Sequence, residues 1–109
     1  MAMTPEARVK AAIRKYLTTL GVFQFNPIGG PYAAHGIPDI VGCWRGVFFG
    51  IEVKAPGRKG STTENQKLRL AEIAAAGGIA VVADDVRDVH AAFRDHALEH
   101  ANKVVVRAA

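Results

Sequence analysis

At 109 residues, half of them hydrophobic, with a mean hydropathy of +0.10, the chain has the size and composition of one folded domain spanning residues 1–109. That length excludes a TIM barrel or a Rossmann enzyme of ordinary size. No apolar run approaches the ~20 residues that cross a bilayer, so no membrane partner is expected. Ala7-Arg8-Val9-Lys10 is too charged for a signal sequence, and the single Cys43 can neither close an intrachain disulfide nor build a Cys-rich zinc site. Both features fit a reducing cytoplasm. The net charge of +4 is unevenly placed. Five basic residues (Lys54, Arg58, Lys59, Lys67 and Arg69) lie between positions 54 and 69 against the single acid Glu64, while the rest of the chain carries nine of each sign. This excess is either a solvated face or the grip for a polyanion.

In chain order, Thr4-Pro5 opens a first helix, because Thr caps free N–H groups and Pro is tolerated at the first helical position. Val9, Ile13, Tyr16, Leu17 and Leu20 recur at helical spacing, and Gly21 stops it. Val22–Phe25 is a short β-prone stretch, and Asn26–Gly36, rich in Pro and Gly, is a loop. Ile37–Trp44 and Val47–Lys54 are apolar runs joined by Arg45-Gly46, which reads as a hairpin. Ala55–Thr62 is a basic Gly/Pro loop. Thr63-Glu64-Asn65-Gln66 has the form of a capping box opening a second helix, with Leu68, Ile73 and Ala76 among its expected core positions. Gly77-Gly78 ends that helix, Ile79–Ala83 is a buried strand, and a third helix covers about 86–101. The order α-β-β-β-α-β-α predicts an α/β fold with a mixed β-sheet flanked by helices.

The strongest chemical signal is Asp39 at one strand and Ile51-Glu52-Val53-Lys54 on the next. Alternation puts Glu52 and Lys54 on one face while Ile51 and Val53 enter the core, and a hairpin brings Asp39 alongside. Carboxylates in apolar strands are costly unless paired or metal-bound. Two readings follow: a structural ion pair to Lys54, or a site for a hard cation such as Mg²⁺ or Mn²⁺, with Lys54 orienting water or stabilising charge on a phosphoryl oxygen.

His35-Gly36-Ile37-Pro38-Asp39, then Ile51-Glu52-Val53-Lys54 with Glu52 thirteen residues after Asp39, then Gln66 twelve beyond Lys54, resemble the signature of the PD-(D/E)XK nuclease superfamily. The similarity is to its VRR-NUC branch, in the short stand-alone form found in phages and prophages, and it runs from Glu6 to about Val82. The resemblance implies a restriction-endonuclease-like core. It further implies that Asp39, Glu52 and the backbone carbonyl of Val53 hold a divalent metal, that Lys54 is the catalytic lysine, and that Gln66 positions water or phosphate. Glu6 corresponds to the family's additional acidic residue, which the resemblance makes an outer-shell or second-metal ligand, although an acid in a first helical turn is also what the helix dipole favours. For Gln66 the simpler role is the capping box itself.

Other residues carry weaker signals. His35 stands where it could touch phosphate or remain a plain loop histidine. Tyr32, in Gly29-Gly30-Pro31-Tyr32, could stack on a base or pack on the core. His96 and His100 have the i, i+4 spacing of a two-His zinc site without an evident third ligand. Cys43 and Trp44 are expected in the core. The expected function is a metal-dependent DNA nuclease, with Arg58, Lys59, Lys67 and Arg69 on the phosphate backbone; the alternative is a non-catalytic nucleic-acid-binding module of the same fold. One metal site cuts one strand, so a homodimer acting on branched DNA such as a Holliday junction is expected, as the resemblance also implies. The apolar run Val104-Val105-Val106 would pair across it or extend its own sheet.

Overall fold

The computed structural model describes residues 2–29 and 35–101. Helix α1 (Pro5–Thr19) begins where expected, with the Thr4 hydroxyl accepting from the Ala7 N–H and Pro5 at its first position. It ends at Gly21, which takes a φ of 68°. Strand β1 (Phe23–Phe25) leads to the β2–β3 hairpin, Ile40–Trp44 and Val47–Val53. Its turn is Arg45-Gly46 with φ of 50° and 81°, the left-handed pair that matches the twist of the flanking strands. A 3₁₀ turn (Lys59–Ser61) precedes α2 (Glu64–Ala75), β4 (Ile79–Ala83) and α3 (Val86–Ala101).

The four strands form one mixed sheet in the order β1-β2-β3-β4, antiparallel except for the parallel β3–β4 pair. A parallel pair needs a crossover, and α2 supplies it. Odd-numbered residues of β3 (Phe49, Ile51, Val53) enter the core with Ile13, Leu17, Ile40, Ile79, Ala83, Val89 and Phe93. The even-numbered residues face the opposite side, where Ile73 of α2 lies over Gly50 and Gly78. Helices α1 and α3 therefore cover one face and α2 the other. Trp44 packs its ring 4.9 Å from that of Phe93, as expected of a core aromatic.

Four expectations need correction. Cys43 is exposed rather than buried: it pairs with Phe23 and Phe48 on the face that α2 covers only over β3 and β4. For the same reason Leu68, 48% exposed, and Ala76 are not core residues, and the half-buried residues of α2 are Gln66, Arg69, Leu70 and Ile73. The second strand starts at Ile40 rather than Ile37, because Pro38 lacks an N–H and the Asp39 side chain, not a strand carbonyl, accepts the Val53 N–H. The third stops at Val53, one residue short of Lys54, whose own N–H continues to the Ala83 carbonyl. Gly30–Tyr32 and Val104–Val106 lie outside the described residues. No helix among the described residues is long and apolar enough to cross a membrane.

Candidate active site

The hairpin register sets Ile40 opposite Ile51, which brings Asp39 to the end of the strand that carries Glu52. Its Oδ2 accepts the Val53 N–H at 2.8 Å, leaving Oδ1 turned away from the backbone. Glu52 and Lys54 share the face of β3 beneath α2, and both are deeply buried, at 4% and 9% exposure. Gln66 closes the site from the first turn of α2. Its Nε2 donates to Glu52 Oε1 at 2.8 Å, and its Oε1 accepts from Lys54 Nζ at 3.0 Å and from the Thr63 N–H at 2.9 Å. The Thr63 hydroxyl completes the capping box by accepting the Gln66 N–H at 3.2 Å. The two roles weighed for Gln66, capping and facing the site, are thus combined in one side chain.

Lys54 Nζ lies 3.8 Å from Glu52 Oε1, too long for a charge-assisted hydrogen bond. The other oxygen, Oε2, is buried with no hydrogen-bond partner. An orphaned carboxylate oxygen in such a place is costly. Burial first, and then the neighbouring Asp39 carboxylate, push the Glu52 carboxyl up to about 8. The Lys54 charge works in the opposite direction, and the Glu6 charge adds slightly to the rise.

Gly36 makes the enclosure possible. Its φ of 81° suits glycine, and a Cβ there would collide with the backbone of Asn65 and Gln66. The His35–Asp39 loop therefore presses directly on the start of α2 and sets where Gln66 stands. A cleft of about 360 Å³ opens beside Asp39, lined by Lys10, Asn26, His35 and Pro38 among others. His35 is exposed at it. Glu6 is exposed in the first turn of α1 and feels the site only through its charge. Tyr32 lies outside the described residues.

The basic flank is less free than its sequence suggests. Lys59 binds Asp88 at 2.9 Å and approaches Asp84 at 3.7 Å; the Asp88 hydrogen bond raises its ammonium above the usual range. Lys67 pairs with Glu64 at 3.3 Å and Arg69 with Glu72 at 2.8 Å. Arg69 lines a separate apolar cleft with Phe25, Val41 and Phe48. Arg58 is exposed and makes no ion pair among the described residues. The rings of His96 and His100 stack 3.9 Å apart, and His100 Nδ1 meets the His96 carbonyl at 2.9 Å. No group of three or more His, Cys, Asp or Glu suited to a metal occurs among the described residues, so a metal at the sheet edge would have two carboxylates and main-chain oxygen.

No family model, curated protein or solved structure matches this chain.

What the cluster can do therefore follows from its own donors. Two carboxylates with one committed and one orphaned oxygen suit a hard cation that keeps several waters. The structure adds a residue that belongs to no motif in the sequence: Lys10, whose Nζ lies 3.5 Å from Asp39 Oδ1. Its position one helical turn after Glu6 was the available clue.

Proposed function

We propose that this chain is a Mg²⁺- or Mn²⁺-dependent nuclease of the VRR-NUC branch that hydrolyses phosphodiesters in DNA. The observation that carries the reading is the buried pair of acids at the sheet edge: Glu52 is 4% exposed, no donor reaches its Oε2, and the adjoining Asp39 side chain helps hold its carboxyl protonated up to about 8. Two acids held together out of water suit a divalent cation that would replace that proton. The four-stranded mixed sheet with helices on both faces supports the restriction-endonuclease-like assignment.

Asp39, Glu52 and the Val53 carbonyl would hold the metal, which supplies charge neutralisation at a phosphoryl oxygen and a bound water of lowered pKa. Lys54, oriented by Gln66 Oε1, presents a compact ammonium to the charge that develops on the phosphate. Arg58, and Lys59, Lys67 and Arg69 once they release their carboxylates, grip the backbone. The exchange is cheapest for Lys67, whose pair with Glu64 is exposed, and costs more for Lys59 and Arg69, whose pairs are partly buried. The active form is a homodimer on branched DNA, two sites nicking two strands.

Purified protein with Mg²⁺ or Mn²⁺, assayed against duplex, flap, single-stranded and four-way DNA, tests this directly. Cleavage should favour the four-way junction and vanish in Asp39→Asn, Glu52→Gln and Lys54→Ala, with Lys54→Ala still binding Mn²⁺. Light scattering should report twice the chain mass. Full activity in all three variants would overturn the site, and a monomer cutting linear duplex equally well would overturn the dimer and branched-DNA assignment.

A further inference from the structure

We propose that Lys10 is a built-in counter-ion for Asp39, and that DNA phosphate draws it away, so that metal loading and DNA binding reinforce each other. The inference rests on the metal site proposed above.

The two oxygens of Asp39 have different commitments. Oδ2 holds the Val53 N–H at 2.8 Å, whereas Oδ1 faces the Lys10 ammonium at 3.5 Å. Oδ1 is therefore the oxygen open to a cation, and Lys10 already supplies it with positive charge. At 3.5 Å the contact is coulombic and lacks the 2.7–2.9 Å geometry typical of a strong charge-assisted hydrogen bond. It is easily given up. Lys10 is partly buried, with 30% of its side chain exposed, and its four-carbon stem lets the ammonium swing without moving α1.

The place it can swing to is the cleft of about 360 Å³ that Lys10 lines together with Asn26, His35 and Asp39. Lys10, Asn26 and His35 all bring hydrogen-bond donors to that cleft, and Asp39 is the acid among its lining residues. A phosphate entering there comes within reach of Lys10 alongside the exposed Asn26 and His35. Once the ammonium turns to the phosphate, Oδ1 is released from its internal cation, and a divalent ion no longer meets a competing charge. Coupling of this kind is reciprocal: whatever DNA does for metal affinity, metal does for DNA affinity. The device keeps Asp39 partly neutralised while substrate is absent and frees it when substrate arrives.

The test is calorimetric titration of Mn²⁺ into the full chain and into Lys10→Met, each alone and with a saturating duplex carrying non-cleavable phosphorothioate linkages. Without DNA, Lys10→Met should bind Mn²⁺ about fivefold more tightly than the wild type, and the additional tightening caused by the duplex should shrink by a similar factor. Lys10→Arg, which keeps the charge, should retain the wild-type coupling. Circular dichroism melts establish that the variants fold, and Lys10→Gln replaces Lys10→Met if the latter does not. Equal or weaker Mn²⁺ binding by the neutral variant, with the wild type binding normally, overturns the role of Lys10 and leaves the metal site standing. No Mn²⁺ binding by either protein overturns both.

Discussion

Gln66 Nε2 donates to Glu52 Oε1 at 2.8 Å while the same side chain's Oε1 takes both the Lys54 ammonium and the Thr63 N–H. One amide thus joins the start of a helix to both buried charged residues of the adjacent strand. Helix stability and site geometry are consequently linked. Gln66→Ala should leave the Thr63 N–H without its capping-box acceptor and also release Lys54 and Glu52, so cleavage should fall further than stability. Gln66→Glu keeps an oxygen for the cap yet places a third carboxylate against Glu52. It should retain the helix, by circular dichroism, and lose most activity. Equal activity in the wild type and both variants would remove Gln66 from the catalytic cluster.

The raised Glu52 carboxyl makes stability depend on pH in a defined direction. Its ordinary value is 4.5 and its folded value about 8. Between these, the folded chain keeps a proton that the unfolded chain gives up, so this group's contribution falls as pH rises from 4.5 to 8. Glu52→Gln cannot lose the proton. It should flatten that slope and, near pH 8, be more stable than the metal-free wild type. Thermal melts at pH 5 and pH 8.5 without divalent ions measure the difference. Saturating Mn²⁺ should reverse it, since the ion stabilises the ionised carboxylate of the wild type. A variant melting in parallel with the wild type at both pH values would show that Glu52 ionises normally.

Gly36→Ala should act at a distance of one loop. Its Cβ would meet the Asn65–Gln66 backbone in a left-handed conformation, and strain of this kind costs on the order of 1–3 kcal/mol. The cheapest relief moves the first turn of α2, carrying Gln66 away from Glu52. The expected result is a lower melting temperature together with a loss of kcat exceeding any change in KM for DNA. An Ala variant with wild-type kcat would show that the loop does not position α2.

Arg58 and Lys59 are neighbours in sequence with different partners. Arg58 is exposed without an ion pair among the described residues, whereas Lys59 ties the loop to Asp84 and Asp88 beside the Gly57 N–H to Asp84 bond. Arg58→Ala should flatten the salt dependence of DNA binding by about one unit of slope and leave the melting temperature unchanged. Lys59→Ala should lower the melting temperature as well. Identical salt slopes in the wild type and both variants would place the DNA surface elsewhere.

The element order was legible because each element announces itself locally. Thr4-Pro5, the Thr63–Gln66 box, Arg45-Gly46 and Gly77 act on their own neighbours in the chain, and their structures agree with those signals. Glu52 and Lys54 were nameable from alternation along their strand and Asp39 from the hairpin pairing, whereas the site-facing role of Gln66 came only from the family resemblance. Residues whose state depends on what covers them were read less well. Cys43 and Leu68 sit in patterns that suit a core, but α2 spans only part of its face of the sheet, and no neighbour in sequence reports that.

By itself, then, the sequence determined the α-β-β-β-α-β-α order, the hairpin that sets Asp39 beside Glu52, and the capping box that begins α2, because hydrogen-bond geometry and side-chain periodicity act over a few residues. Only the tertiary structure decided that Glu52 and Lys54 are sealed beneath Gln66, that Glu52 Oε2 is left without a partner, and that Lys10 reaches across from α1 to Asp39. Those outcomes depend on how far a helix extends over a sheet and how closely a loop can press on it. Such distances arise between segments far apart in the chain, where local preference carries no information.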